Sequence, residues 1–148
     1  LTGVEKLEKD QPVSHISFYE ASAFANYKRK RLPNEFEIEF FLNKSALKGN
    51  FLDNQIFDPV DYQDEAYCNN IYGNLWMWTL SNYIPYKNYK PFKNKLMEYN
   101  SKFMCNQFVL KGGSFATPKN HLRASYRNFY YPHNTWQFCG LRLVEEIC

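Results

Sequence analysis

The sequence predicts an α+β domain in which two early helices precede short strands joined by long, aromatic-rich loops. Two capping motifs predict the helices, and short β-rich runs next to glycines predict the strands. The 148 residues fit one domain, and hydrophobic residues make up 45% of them, enough to form a core. Disorder is excluded, because disordered chains combine low hydrophobicity with high net charge. No apolar run reaches the roughly 18 residues of a membrane helix.

The first helix is predicted to begin after Ser17 and to end near Arg29. Ser17 and Glu20 have the spacing of a capping box, in which each side chain bonds the other residue's backbone amide. The basic run 28–31 follows at the C-terminal end, where the helix dipole favours positive charge. The residues expected to face inward are Phe18, Ala21, Phe24 and Ala25.

The second helix is predicted to begin after Pro33 and Asn34. Asn34 is a favourable N-cap, Glu37 follows three residues later, and proline disfavours helix in the residue before it. Glu35, Glu37 and Glu39 follow. Paired glutamates can serve acid–base catalysis, but this spacing is typical of a helix start, so we interpret them as capping residues. The apolar face is expected to consist of Phe36, Phe40 and Phe41.

The rest of the chain is predicted to form loops and short strands. A weakly patterned loop is expected over residues 45–70, and a strand covered on both faces over residues 75–79. A further strand over residues 108–111 ends at Gly112 and Gly113, which suit a tight turn. Residues 123–129 are expected to be extended, and residues 140–144 to form the last strand.

Charge is distributed unevenly along the chain. The net charge is +3, but the first 74 residues carry 8 Lys/Arg and 12 Asp/Glu, whereas the last 74 carry 10 and 3. A basic half can attract nucleic acid. We rank that hypothesis last, because the lysines lie in loops without a recognisable nucleic-acid-binding fold.

Four cysteines stand far apart, at positions 68, 105, 139 and 148. They form no C-x-x-C pair, which argues against a zinc site of the usual spacing. With no signal peptide visible, we interpret them as reduced thiols of a cytoplasmic protein, and two disulfides are the alternative. The oligomeric state stays open.

Five ordered blocks resemble the formylglycine-generating-enzyme-like domain, also called the sulfatase-modifying-factor domain. They include KRLPNEFE, LKGGSF and GLRL, and they occupy residues 12–21, 30–37, 73–79, 110–115 and 140–143. The resemblance implies an irregular, loop-rich fold related to C-type lectins, with two N-terminal helices followed by short antiparallel strands. It also implies that residues 1–148 are the C-terminal part of a larger domain.

A narrower resemblance points to the C-terminal domain of the ergothioneine and 5-histidylcysteine sulfoxide synthases. It is carried by segments 98–107, 116–123, 126–129 and 136–138. Those oxidoreductases use non-haem Fe(II) and O₂ to join the thiol of cysteine or γ-glutamylcysteine to histidine or an N-methylated histidine. The resemblance therefore implies these small-molecule substrates, and it leaves open which histidine derivative and which thiol donor are used.

The sequence departs from its relatives at two metal sites. Formylglycine-generating enzymes hold copper with two cysteines in the stretch that here spans residues 115–130, where none occurs, so no copper site is expected. The synthases bind iron through an N-terminal helical domain, whereas His15, His121 and His133 match no part of that motif. We therefore expect the iron-binding domain to lie outside this chain, and the chain alone to be inactive.

The resemblance implies that Arg127, Asn128, Phe129 and Tyr130 line the substrate pocket. A trimethylammonium group donates no hydrogen bond and is held by aromatic faces, for which Phe129, Tyr130, Trp136 and Trp76 are candidates. Asn128 and Gln137 can bond a carboxylate or position water, and Arg127 can bind an anionic group through two hydrogen bonds. Core packing is the competing interpretation of the aromatic residues. No catalytic residue can be chosen among the twelve tyrosines.

Two interpretations of function stay open. The chain is either the substrate-binding portion of an iron-dependent sulfoxide synthase, or a non-catalytic binding module or truncated remnant on the same scaffold. A shared fold does not decide between them, because one scaffold hosts many sites.

Overall fold

The computed structural model describes residues 3, 4, 6, 9–60, 71–91 and 101–145. Two helices, α1 and α2, precede four strands, β1 to β4, and three short 3₁₀ turns. Cys68, Cys148 and positions 61–70 of the predicted loop lie outside the described residues. None of the described helices is long and apolar enough to cross a membrane. The bounds are α1 (Phe18–Tyr27), α2 (Glu35–Lys44), β1 (Trp76–Asn82), β2 (Phe108–Lys111), β3 (Asn128–Tyr130) and β4 (Cys139–Gly140).

The predicted capping boxes start both helices. The Ser17 hydroxyl accepts from the Glu20 amide, while the Glu20 carboxylate accepts from the Ser17 amide. In α2, Asn34 and Glu37 form the same pair of bonds. Helix α1 ends two residues earlier than predicted and buries Ala21 and Ala25. The prediction for Phe24 was wrong, because its side chain is 44% exposed.

The predicted apolar face of α2 was also wrong. Phe36, Phe40 and Phe41 are each more than half exposed. The buried stripe consists of Glu35, Ile38 and Leu42. Both stripes have helical spacing, so local periodicity cannot choose between them. Ile38 and Leu42 belong to the hydrophobic core, and the buried Glu35 carboxylate is paired with Arg127, as described below.

The strands form one mixed sheet in the order β3-β2-β1-β4. Strand β2 is antiparallel to both β1 and β3, whereas β4 runs parallel to β1 and pairs Cys139 with Trp76. The prediction that all strands are antiparallel was therefore wrong for β4. The predicted last strand is also shorter, and Val144 instead makes an isolated bridge with Arg31. Gly112 and Gly113 end β2 with φ of 96° and 86°, values that only glycine adopts readily.

The sheet has a helix on each face. The first four residues of β1 are buried on both faces, as predicted, with Trp78 fully enclosed. On the Trp78 face, Phe18 of α1 stacks on Phe108 at 3.9 Å. On the opposite face, the Lys111 ammonium donates to the Glu39 carboxylate of α2 at 2.7 Å. The α+β class is confirmed, and β3 is an edge strand of the sheet that the described residues form.

Candidate functional site

Strand β3 carries three of the predicted pocket residues and follows directly after the fourth, Arg127. Asn128 lies opposite Leu110, Phe129 opposite Val109, and Tyr130 opposite Phe108. Successive side chains in a strand point to opposite faces. The contiguous segment is therefore divided: Asn128 and Tyr130 face the α1 side of the sheet, whereas Arg127 and Phe129 face the α2 side.

On the α1 side, Tyr130 and Trp136 form an edge-to-face pair with ring centroids 5.1 Å apart. Tyr130 is half-buried, and Trp136 is 66% exposed. The side-chain oxygen of Asn128 accepts from the backbone amide of Phe129 at 3.0 Å, which leaves its amide N–H donors for a ligand. The structure thus brings two predicted aromatic faces together, beside an amide that can donate.

On the α2 side, Phe129 lies flat against Tyr83, with centroids 4.1 Å apart and an interplanar angle of 9°. Phe103 lies 5.9 Å from Phe129 on a tilted plane. The Arg127 guanidinium carbon lies 4.7 Å from the Tyr83 centroid and 4.4 Å from the Tyr86 centroid. The predicted pocket residues here are already stacked on partners from the segment after β1.

The Arg127 guanidinium is paired within the protein. Its Nε lies 2.9 Å from Oε2 of Glu35, and its Nη2 donates to Oε1 at 3.2 Å. Its Nη1 donates to the Ile84 carbonyl oxygen at 3.1 Å, and the Tyr86 hydroxyl donates to Oε2 of Glu35 at 3.1 Å. Burial raises the pKa of Tyr86 to about 12, so this hydroxyl keeps its proton at neutral pH and can donate the hydrogen bond. The cation therefore has an internal counter-ion.

The sequence analysis missed Glu35, Tyr83 and Tyr86 as neighbours of the predicted pocket. Glu35 is separated from Arg127 by 92 positions, and its place in the first turn of α2 was accounted for by helix capping. The only sequence signal for its second role is its placement in the KRLPNEFE block.

Trp76 and Gln137 lie in the interior. Trp76 is 7% exposed, and among the described residues its ring contacts Tyr126 at 5.8 Å. Gln137 is 3% exposed and donates to the Asn134 carbonyl oxygen at 3.1 Å, while its side-chain oxygen has no hydrogen-bond partner there. Both residues stay predictions as ligand contacts, and Trp76 belongs to the hydrophobic core.

The three histidines are held apart by different neighbours. His15 lies 3.2 Å from the Thr135 carbonyl oxygen, His121 packs edge-on against Tyr126, and His133 stacks on Tyr131. In the part of the chain that the structure describes, no three His, Cys, Asp or Glu side chains could hold one metal ion. The described donor set does not fit the iron site that the resemblance implies.

The fold and the edge-strand site define an α+β protein with a small mixed sheet and long irregular connections. The chain belongs to the sulfatase-modifying factor enzyme 1-like domain family, which it matches over residues 2–70 and 61–147. The structure of PvdO from Pseudomonas aeruginosa superposes with a TM-score of 0.66 at 15% identity, covering 94% of this chain and 63% of that one. That likeness shows the fold.

Several curated relatives carry functional names, among them a mycobacterial protein and one from Schizosaccharomyces pombe. Hercynine oxygenase of Mycobacterium tuberculosis is 28% identical over 167 residues, which cover 97% of this chain and 39% of that protein. Ergothioneine biosynthesis protein 1 of Schizosaccharomyces pombe is 26% identical over 141 residues, which cover 88% of this chain and 18% of that protein. The chain thus spans well under half the length of these relatives.

Proposed function

We propose that this chain is the substrate-binding portion of a sulfoxide synthase that acts on histidine or an N-methylated histidine. The observation that supports the proposal is the Tyr130–Trp136 ring pair beside β3, because Tyr130 belongs to the segment for which the sequence resemblance implies a substrate pocket. The names of the relatives support it. The thiol donor is cysteine or γ-glutamylcysteine, and O₂ is the oxidant.

The residues of β3 suit the two ends of a histidine betaine. Its trimethylammonium group packs on the faces of Tyr130 and Trp136, where cation–π attraction stabilises it by about 0.5–1 kcal/mol per exposed ring. Its carboxylate accepts from the Asn128 amide, whose oxygen is already bonded to the Phe129 amide. The iron belongs to a separate N-terminal domain, and no step of the proposal uses a metal held by this chain.

Calorimetric titration of the full chain with histidine and with its trimethyl betaine tests the proposal. We expect the betaine to bind more tightly, and Trp136→Ala to weaken it about two- to fivefold. Tyr131→Ala is the matched control, because Tyr131 is also exposed but stacks on His133 instead of Tyr130. Asn128→Ala should also weaken binding without unfolding the chain, because it removes the amide that donates to the carboxylate. Failure of the betaine to bind, both to the chain alone and after addition of a relative's N-terminal portion, would overturn the proposal.

The second candidate is a binding module without catalysis. It is favoured by the side chains on the α1 side of β3, where the Tyr130 and Trp136 rings and the Asn128 amide are groups that bind a cation and a carboxylate. Betaine binding without sulfoxide formation, after addition of a relative's iron-loaded N-terminal portion and a thiol donor, would select this alternative.

A further inference from the structure

We propose that Glu35 is a positioning residue for β3, acting through the guanidinium of Arg127 and the ring of Tyr83 on Phe129. The ligand-binding part of its test rests on the function proposed above, whereas the structural part does not. Helix capping explains the position of Glu37, but it does not explain why the Glu35 carboxylate is buried.

Four planar side chains lie against one another between α2 and β3. The guanidinium of Arg127 is within 4.7 Å of both the Tyr83 and Tyr86 centroids, and Tyr83 lies flat on Phe129 at 4.1 Å. The ion pair is enclosed, with side-chain exposures of 10% for Arg127 and 4% for Glu35. The ion pair has one hydrogen bond, from Nη2 to Oε1, and a 2.9 Å contact between Nε and Oε2 that is not aligned as a hydrogen bond. Because both side chains are shielded from water, the carboxylate keeps the guanidinium at this position against the two tyrosine rings.

Glu35 is itself held from two directions. Its backbone amide donates to the Ser81 hydroxyl of β1 at 2.9 Å, and its carboxylate accepts from the Tyr86 hydroxyl at 3.1 Å. The carboxylate therefore connects the start of α2 to the residue directly before β3. Without it, Arg127 would be a buried cation without a counter-ion, which favours its withdrawal into solvent. The Tyr83–Phe129 stack would then lose the group that packs behind it.

The same geometry distinguishes positioning from anion binding. If Arg127 were the receptor for the substrate carboxylate, Glu35→Gln would free its guanidinium and strengthen binding. If Arg127 positions β3, Glu35→Gln weakens binding because the strand residues that contact the ligand lose their fixed arrangement. The two roles predict opposite signs for one substitution.

Glu37→Gln is the matched control. Glu37 lies on the same helix and forms a bidentate pair with Arg31 at 2.7 and 2.8 Å, so the control also removes one carboxylate from an arginine. Arg31 makes the isolated bridge with Val144, and Glu37 lies in the capping box at the start of α2. Any general effect of losing an ion pair on α2 will therefore appear in both variants.

The experiment measures amide hydrogen exchange at residues 128–130 in the ligand-free chain and the affinity for the histidine betaine. We expect Glu35→Gln to speed exchange in β3, and to weaken the betaine, each about tenfold, a change of ~1.4 kcal/mol. Glu37→Gln should change the exchange rate in β3 and the betaine affinity by less than twofold each. Glu35→Asp should recover part of the affinity that Glu35→Gln loses.

If Glu35→Gln fails to fold, Tyr83→Leu is measured instead. This variant removes the ring that lies between Arg127 and Phe129 and keeps the ion pair. Equal exchange at β3 in Glu35→Gln and Glu37→Gln would overturn the positioning role, as would tighter betaine binding to Glu35→Gln. If the wild-type chain binds no histidine derivative, either alone or after addition of a relative's N-terminal portion, the proposed function fails, and the exchange measurement still decides the role of Glu35.

Discussion

The indole N–H of Trp78 and the thiol of Cys139 donate to one acceptor, the backbone carbonyl oxygen of Ile16, at 2.9 and 3.0 Å. Trp78 belongs to β1 and Cys139 to β4, and both are fully buried. Ile16 directly precedes the N-cap of α1. This shared acceptor joins the start of α1 to two parallel strands.

The position of Cys139 predicts an inert thiol. Burial raises the pKa of Cys139 to about 11, whereas Cys105 is exposed. Because the thiolate is the reactive form, iodoacetamide at about pH 8 should alkylate Cys105 in the native chain and leave Cys139 unmodified. Peptide mass spectrometry measures both sites, with labelling in denaturant as the control. Equal native rates at the two sites would contradict the packing described here.

The Lys111–Glu39 ion pair predicts that removing its carboxylate destabilises the fold more than removing its ammonium group does. The Lys111 side chain is fully buried and that of Glu39 is 27% exposed. Burial lowers the pKa of Lys111, and Glu39 opposes that shift. Glu39→Gln leaves a buried ammonium and should lower the free energy of unfolding by about 3 kcal/mol. Lys111→Met removes the buried charge and should cost less. Urea unfolding compares them, and the reverse order would refute the argument.

The two capping boxes predict acid sensitivity. The Ser17 hydroxyl lowers the pKa of Glu20, and hydrogen bonds from Arg31 lower the pKa of Glu37, both from an ordinary 4.5. Their contribution to stability is complete above the unfolded-state pKa and is lost as pH falls through the lower folded-state pKa.

The melting temperature of the wild-type chain should therefore fall between about pH 5 and pH 3 more steeply than that of the Glu20→Gln, Glu37→Gln double variant. Thermal unfolding monitored by circular dichroism measures both. Parallel pH profiles would show that these carboxylates do not contribute.

Adjacent residues of α2, one on the exposed stripe and one on the buried stripe, should differ in how much their substitution lowers the free energy of unfolding. Phe41 is 52% exposed and Leu42 is 2% exposed. Phe41→Ser should change the free energy of unfolding by no more than about 0.5 kcal/mol. Leu42→Ala should cost about 3 kcal/mol, because it opens a cavity in the core. Denaturant unfolding of the two variants tests which stripe is buried.

Local chemistry made the helix starts and the buried first half of β1 predictable. Capping boxes act within four residues, so Ser17 and Asn34 determine where α1 and α2 begin without help from the rest of the fold. The Gly112–Gly113 turn is local in the same way. The family also follows from short ordered blocks of sequence.

Long-range contacts explain the features that sequence reasoning missed. The buried stripe of α2 includes Glu35, whose carboxylate is paired with Arg127 far along the chain, and the parallel pairing of β4 depends on where the chain returns after residue 130. In the candidate site, the segment was expected but its division between two faces was not. That division required the bounds of β3, which begins five residues later than the extended segment predicted from sequence.

Strand β3 pairs with β2 through only three residues. In so short a ladder, a slip of one position would carry Phe129 to the α1 face and Asn128 and Tyr130 to the α2 face. The same slip would pull Arg127 away from Glu35. The ion pair therefore opposes a slip in the register of β3. Which side chains a ligand meets at this edge of the sheet is thus determined in part by a residue of α2, outside the sheet.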